Sequence, residues 1–112
     1  MMRHLGRILW VVPGGRMPLA STGREPEFTS HDKLSILNAS GEKAQIEITI
    51  YYTSREPAGP YRISVQGRRC RHVCVNDLID PEAIPLDMDY SLVVRSDTPV
   101  IVQFTQLNSG QA

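Results

Sequence analysis

Cys70, His72 and Cys74 alternate along the run CRHVC, and thiolate, imidazole and thiolate are a ligand vocabulary for zinc. Alternate residues of a strand share a face, but at about 3.3 Å per residue the two sulfurs stand roughly 13 Å apart along a regular strand. Metal–ligand bonds are only ~2 Å long, so one ion cannot take all three groups and no metal is expected. The same separation excludes a disulfide between the two cysteines, which leaves two small, buried or half-buried thiols. Ser30, His31 and Asp32 carry the letters of a catalytic triad. Three consecutive residues cannot converge as nucleophile, base and orienting acid, and no Gly-x-Ser-x-Gly elbow accompanies them. Their expected role is local bonding to backbone at a strand entry, with His31 a candidate to line a ligand site.

Arg68, Arg69, Arg71 and His72 form the densest basic run in the chain. It has the chemistry to contact a few phosphates, as in DNA, or a carboxylate-bearing partner. On a strand, Arg69 and Arg71 would face one way and Arg68 and His72 the other, so the run is not one continuous surface. Pairing with Asp77, Asp80 or Glu82, or across a subunit interface, is the structural alternative. No phosphate loop, dinucleotide fingerprint or RNA-binding signature is present. Trp10, Tyr51, Tyr52, Tyr61 and Tyr90 would make a sugar-stacking platform if several shared an open face, although aromatic residues on strands more commonly sit in a core or interface. Tyr51 is the ring expected to point outward. No spacing forces carboxylates, a base and a nucleophile together, so an enzyme is not expected.

The elements that would position these groups are strands. From Lys43 to Tyr52, Ala44, Ile46, Ile48, Ile50 and Tyr52 alternate with Lys43, Gln45, Glu47, Thr49 and Tyr51, the period of a half-buried strand. A Pro/Gly-rich break at residues 56–60 separates it from a second alternation over Tyr61, Ile63 and Val65. A third strand carries the basic run and ends at Asn76 and Asp77. Residues 6–12 read as a short strand, apolar on both faces and therefore central or at an interface, followed by a loop from Pro13 to Pro26. Residues 28–40 read as a strand that enters the 43–52 strand through a hairpin turn at Asn38–Glu42. Residues 90–96 and 100–107 read as a last hairpin, turned at Asp97-Thr98-Pro99. The expectation is an all-β, single-domain antiparallel β-sandwich of about seven or eight strands, jelly-roll-like in one version. It spans residues 1–108, with a flexible tail at 109–112.

The chain has 112 residues, with 12 Lys and Arg against 12 Asp and Glu, so no net field draws it to nucleic acid or anionic lipid. A single core of this size gains from assembly with copies of itself. Two cysteines, and no apolar run of signal-peptide or membrane-spanning length, give the expectation of a soluble, cytoplasmic protein that is not embedded in a membrane.

Several uncommon strings occur in order: EPEFTSHDKLSILNAS (residues 25–40), EITIYYTSREPAGPYR (47–62), RRCRHVCVNDLIDPEAIP (68–85) and TPVIVQFTQL (98–107). Over nearly its whole length the chain resembles the soluble sensory rhodopsin transducer family. The resemblance implies a small cytoplasmic jelly-roll sandwich that assembles as a homotetramer. Its role would be non-enzymatic signal transduction, relaying the state of a rhodopsin-type membrane photosensor or another partner, without a cofactor. Carbohydrate binding and DNA-binding transcriptional control are the alternatives the family suggests. Positions matching the family's polar motifs are His31, Asn38, Glu47, Tyr51, Tyr61, Arg62, Arg68, Arg69, His72, Asn76, Asp77 and Gln103. From these, His31, Asn38, Tyr51, Tyr61, Arg68, Arg69, His72, Asn76 and Asp77 form the candidate ligand or partner site. Cys70 and Cys74 stand where the family does not rely on cysteine.

Overall fold

The alternation over residues 43–52 becomes an interior strand of the sheet, paired on both sides. Ala44, Ile46, Ile48 and Ile50 are all buried, while Gln45 and Tyr51 between and beyond them are exposed. The computed structural model describes residues 5–16, 31–79, 81 and 89–107, without the side chains of Arg16, His31, Asn76 and Leu107. Its strands are β1 (Arg7–Arg16), β2 (His31–Asn38), β3 (Ala44–Tyr52), β4 (Ala58–Val65), β5 (Arg69–Cys74) and β6 (Asp89–Leu107), with a 3-10 turn at Val75–Asp77. All pairings are antiparallel. The order is β4-β3-β6-β2-β5, with β1 also on β6. The result is an all-β domain whose single sheet curls into a half-barrel around one core.

The described strands number six because the expected last hairpin is one 19-residue strand. Asp97-Thr98-Pro99 changes the strand's partner instead of its direction. Before this point β6 pairs with β3 as far as Ile46 opposite Ser96, and beyond it β6 pairs with β2 from Leu37 opposite Ile101. A proline tolerates this position because the handover leaves no ladder bond for it to donate. Local bonds hold the irregularity. Ser96 Oγ donates to Thr98 O at 2.6 Å, and Asp97 Oδ1 accepts from the Gln45 N–H at 2.9 Å. From β1, the indole Nε1 of Trp10 donates to Val100 O at 2.9 Å and to Arg7 O at 3.1 Å, spanning the same register shift.

Three further readings are corrected. The strand β1 continues through Pro13-Gly14-Gly15 to Arg16, because a bulge between Val12 and Gly15 absorbs the proline and restores pairing at Gly15 opposite Tyr90. The strands β2 and β3 do not form a hairpin. Both run antiparallel to β6, so they point the same way along it, and the 39–43 connection carries the chain from the stretch of β6 beyond Pro99 to the stretch before it. Arg68 is not in a strand but in the turn before β5, with φ +56° and its N–H donating to Ser40 O at 2.8 Å. Ser30, most of the 13–26 loop, the acidic positions Asp80, Glu82 and Asp87, and the 109–112 tail lie outside the described residues.

The core joins Leu34 and Ile36 of β2 to the β3 isoleucines, Tyr61 and Val65 of β4, and Leu92 and Val94 of β6. Because β4 and β5 end the strand order, the curl brings its two margins together. There the guanidinium of Arg71 donates from Nη1 to Ser64 O at 2.9 Å. Arg71→Ala is expected to lower stability by about 1 kcal/mol, as for a solvent-accessible hydrogen bond, measured by urea denaturation.

Candidate functional site

Register sorts the candidate residues. On β2, Asp32, Leu34, Ile36 and Asn38 point into the core, so Lys33, Ser35 and Leu37 lie on the outer face. Opposed residues share a face, which places Cys70, Leu37 and Ile101 in one outer row and His72, Ser35 and Gln103 in the next. His72 Nδ1 and Ser35 Oγ are 2.8 Å apart, which fixes the orientation of the exposed imidazole. Two residues of the family motifs, His72 and Gln103, therefore flank a serine that the sequence did not single out. Arg69 and Arg71 lie on the other face of β5, as alternation required. Arg69 Nη1 bonds Arg68 O at 3.1 Å.

Asn38 is wholly buried and closes a corner of the fold. Its Nδ2 donates to the backbone oxygens of Glu42 (2.6 Å), Val65 (3.0 Å) and Gln66 (3.3 Å), and its Oδ1 accepts from Ser40 N–H (3.1 Å) and Ser40 Oγ (2.7 Å). The Arg68 turn meets the same Ser40, so Asn38, Arg68 and Arg69 gather at this corner. Tyr61 is 1% exposed and packs in the core, opposite Ile48, with no open face to offer a ligand. Asp77 is exposed in the 3-10 turn, Asn76 precedes it, and His31 begins β2 opposite Leu107. Glu47 and Arg62 form a cross-strand ion pair at 3.2 Å on the surface.

Tyr51 is 46% exposed at the far end of β3. It lines a cleft of about 350 Å³ with Tyr52, Thr53, Asp89, Tyr90, Ser91 and the Pro13-Gly14-Gly15 bulge. Ser91 Oγ donates to Pro13 O at 2.7 Å, pinning the bulge, and the Arg55 guanidinium lies over the Tyr52 ring at 4.9 Å from its centroid. Tyr90 sits in a row between Gly15 and Tyr52. Its hydroxyl donates across the core to the buried carboxylate of Asp32. Burial first, then the Asp32 hydrogen bond and the charges of Asp32 and Tyr52, push the Tyr90 hydroxyl well above the usual phenol range. The cleft drew on Pro13, Gly14, Gly15, Asp89 and Ser91, none of which the sequence offered, because they converge only through the pairing of β1 with β6. The one local signal was Gly14-Gly15 directly after an apolar run.

Gly15 is required here by contact. A Cβ at this position would lie 2.6 Å from Cζ and 2.7 Å from Cε1 of Tyr90, whereas one at Gly14 would meet nothing within 4 Å. Gly15→Ala is expected to cost about 1–3 kcal/mol by displacing the buried ring. Gly14→Ala should stay within ~0.5 kcal/mol of wild type, the usual range for a surface change, and thermal denaturation of both variants checks the pair.

A family model described as Anabaena sensory rhodopsin transducer matches residues 5–112. The chain belongs to the sensory rhodopsin transducer family. A solved structure titled Anabaena sensory rhodopsin transducer is 47% identical, covers 93% of this chain and 100% of its own, and superposes with a TM-score of 0.85. A second, titled Crystal Structure of Thermotoga maritima 1070, is 27% identical, covers 96% of this chain and 85% of its own, with a TM-score of 0.80. No curated protein matches the chain. The transducer fold of the second relative at this lower identity agrees with an architecture set by register and core. Among the described residues no helix is long and apolar enough to cross a membrane.

Proposed function

We propose that this transducer-family chain is a non-enzymatic, cytoplasmic signal-relay adaptor. It works as a homotetramer that passes on the state of a rhodopsin-type membrane photosensor or of another partner. The observation that carries the reading is the outer face of β5, β2 and β6, where His72, Ser35 and Gln103 form a polar row beside Cys70, Leu37 and Ile101. A sheet face with both polar and apolar rows suits docking by a protein partner, since its backbone is paired before contact.

The test is binding to a retinal-loaded photosensor of the rhodopsin type in nanodiscs, in darkness and under illumination, by surface plasmon resonance. The affinity is expected to differ at least threefold between the two states. A His72→Ala/Gln103→Ala variant, altered only at exposed positions, is expected to lose at least tenfold in affinity while keeping its circular dichroism. Equal affinity of the variant and the wild type would remove this face from the mechanism.

A second reading, a small-ligand module for a carbohydrate, is favoured by the tyrosine cleft. Tyr51 offers an exposed ring for stacking, and Asp89, Thr53 and Ser91 offer polar atoms around it. Calorimetric titration with a panel of monosaccharides against wild type and Tyr51→Ala tests it. Heat with the wild type that disappears in the variant supports the reading, and no heat with any sugar rejects it.

A further inference from the structure

Three tyrosines, Tyr51, Tyr52 and Tyr90, line the cleft beside the Pro13-Gly14-Gly15 bulge. The ring of Tyr51 is exposed, Tyr52 is half-buried, and the buried Tyr90 closes the base. Among the described residues that line the cleft, Asp89 carries the only carboxylate and none is Lys, Arg or His. A second carboxylate, that of Asp32, lies behind Tyr90 and accepts the hydrogen bond of its hydroxyl. The face of an aromatic ring is the negative end of its quadrupole, and a phenol that donates to a carboxylate is richer still in electron density. The site is therefore both aromatic and negative. One of its rings already holds a cation of the protein's own, since the Arg55 guanidinium stands 4.9 Å from the Tyr52 centroid.

We propose that this cleft binds a small organic cation of the quaternary ammonium class, with its methylated head against the Tyr51 and Tyr52 rings and its charge beside Asp89. The proposal rests on the reading of the cleft as a ligand site and changes the ligand class from the carbohydrate considered above. Three observations favour such a cation over a polyol. Aromatic rings and a carboxylate are what a quaternary ammonium group needs, because its methyl groups make no strong hydrogen bonds and are held by ring faces. A sugar needs many hydrogen-bond partners, and two hydroxyls of this cleft already donate within the protein, Tyr90 to Asp32 and Ser91 to Pro13 O. The volume of about 350 Å³ lies at the small end of ligand pockets, which suits a compact head group.

Calorimetric titration with choline, with its neutral isostere in which carbon replaces the nitrogen, and with a panel of monosaccharides tests the proposal. The expected result is that choline binds and that the isostere binds at least fivefold more weakly, because only the charged form is drawn to the rings and to Asp89. Tyr51→Leu, a change at an exposed position, should weaken choline binding at least threefold, whereas Tyr51→Phe keeps the ring and should stay within about twofold of wild type. Equal binding of choline and its isostere would overturn the cation, and so would heat with a monosaccharide and none with choline. Both of those results leave the cleft a ligand site, whereas no heat with any probe overturns the cation and the ligand site together. Choline binding unchanged in Tyr51→Leu would place the cation elsewhere and overturn the assignment. Should Tyr51→Leu lose its fold by circular dichroism, Arg55→Gln decides instead. Removing the like charge from the Tyr52 ring should strengthen choline binding at least twofold, and an unchanged affinity overturns the proposal.

Discussion

Asn38→Ala is expected to lower the thermal midpoint by roughly 12–24 °C, on the ~4–8 °C per kcal/mol typical of small domains. The side chain is completely buried and its amide bonds the backbone oxygens of Glu42, Val65 and Gln66, while its oxygen holds Ser40. Alanine would leave those carbonyls facing a cavity, and each buried group without a partner costs about 1–3 kcal/mol. Even if water recovers part of the loss, about 3 kcal/mol remains. Asn38→Asp sharpens the test, because it keeps the acceptor for Ser40 but points a carboxylate at three carbonyl oxygens. It should be at least as destabilising as alanine at pH 7, and less so in mild acid, where a protonated carboxyl regains one donor. Ser40→Ala, which removes a half-buried hydroxyl, should cost only about 1 kcal/mol. Urea denaturation of the three variants measures the series. An Asn38→Ala protein within ~0.5 kcal/mol of wild type would show that this corner is held by something else.

Asn38 also shows where sequence reading stops. Its identity was visible as a motif position and as turn chemistry before Gly41, but its bonds reach Val65 and Gln66, 27 and 28 residues away. Only the folded register makes that reach local. The same division runs through the chain. The 43–52 strand was legible because burial on one face writes a period of two into the residues themselves. Tyr61 follows Ile63 and Val65 inward by the same rule, so its place in the core was implied by the alternation even while its side chain remained a ligand candidate. Asp97-Thr98-Pro99 misled because turn residues and strand-handover residues share a chemistry: short polar side chains that bond nearby backbone, and a proline where no N–H is needed. The adjacency of β2 and β3 in sequence likewise concealed that they pair with successive stretches of β6 and not with each other.

Family membership and structure act on different parts of this problem. The relationship spans residues 5–112 and supports the relay reading, but it does not say which face does the work. Register sorts the motif positions by where they sit. It separates the exposed His72 and Gln103 row from Asn38 and Tyr61, which share the family's motifs yet lie inside. Motif positions therefore mix residues that hold the scaffold with residues that present a surface, and only burial sorts them. Substitutions in the first group should change stability and binding together, and substitutions in the second should change binding alone.

The bond from Tyr90 to Asp32 makes a second large prediction, this one in pH. Phenylalanine at position 90 keeps the ring in its row between Gly15 and Tyr52 but deprives the buried Asp32 of one donor, for an expected loss of about 2 kcal/mol at pH 7. In the unfolded chain a tyrosine ionises near pH 10, whereas burial and the adjacent carboxylate hold the folded Tyr90 protonated well above that. The native state thus retains a proton that the unfolded state releases, and linkage makes stability fall as pH rises above about 10. The stabilisation is fully present below that pH, and its limiting slope is about 1.4 kcal/mol per pH unit for one proton. Tyr90→Phe has no such proton to lose, while the other titrating groups are common to both proteins. The stability difference between wild type and variant should therefore be constant from pH 7 to about 9.5, narrow above pH 10, and close near pH 11.5, where about 2 kcal/mol has been lost at the limiting slope. Urea denaturation at intervals across that range gives the difference directly. A gap that stays the same up to pH 11.5 would mean that Tyr90 ionises as readily in the folded protein as in the unfolded one, and that its proton is not held by Asp32.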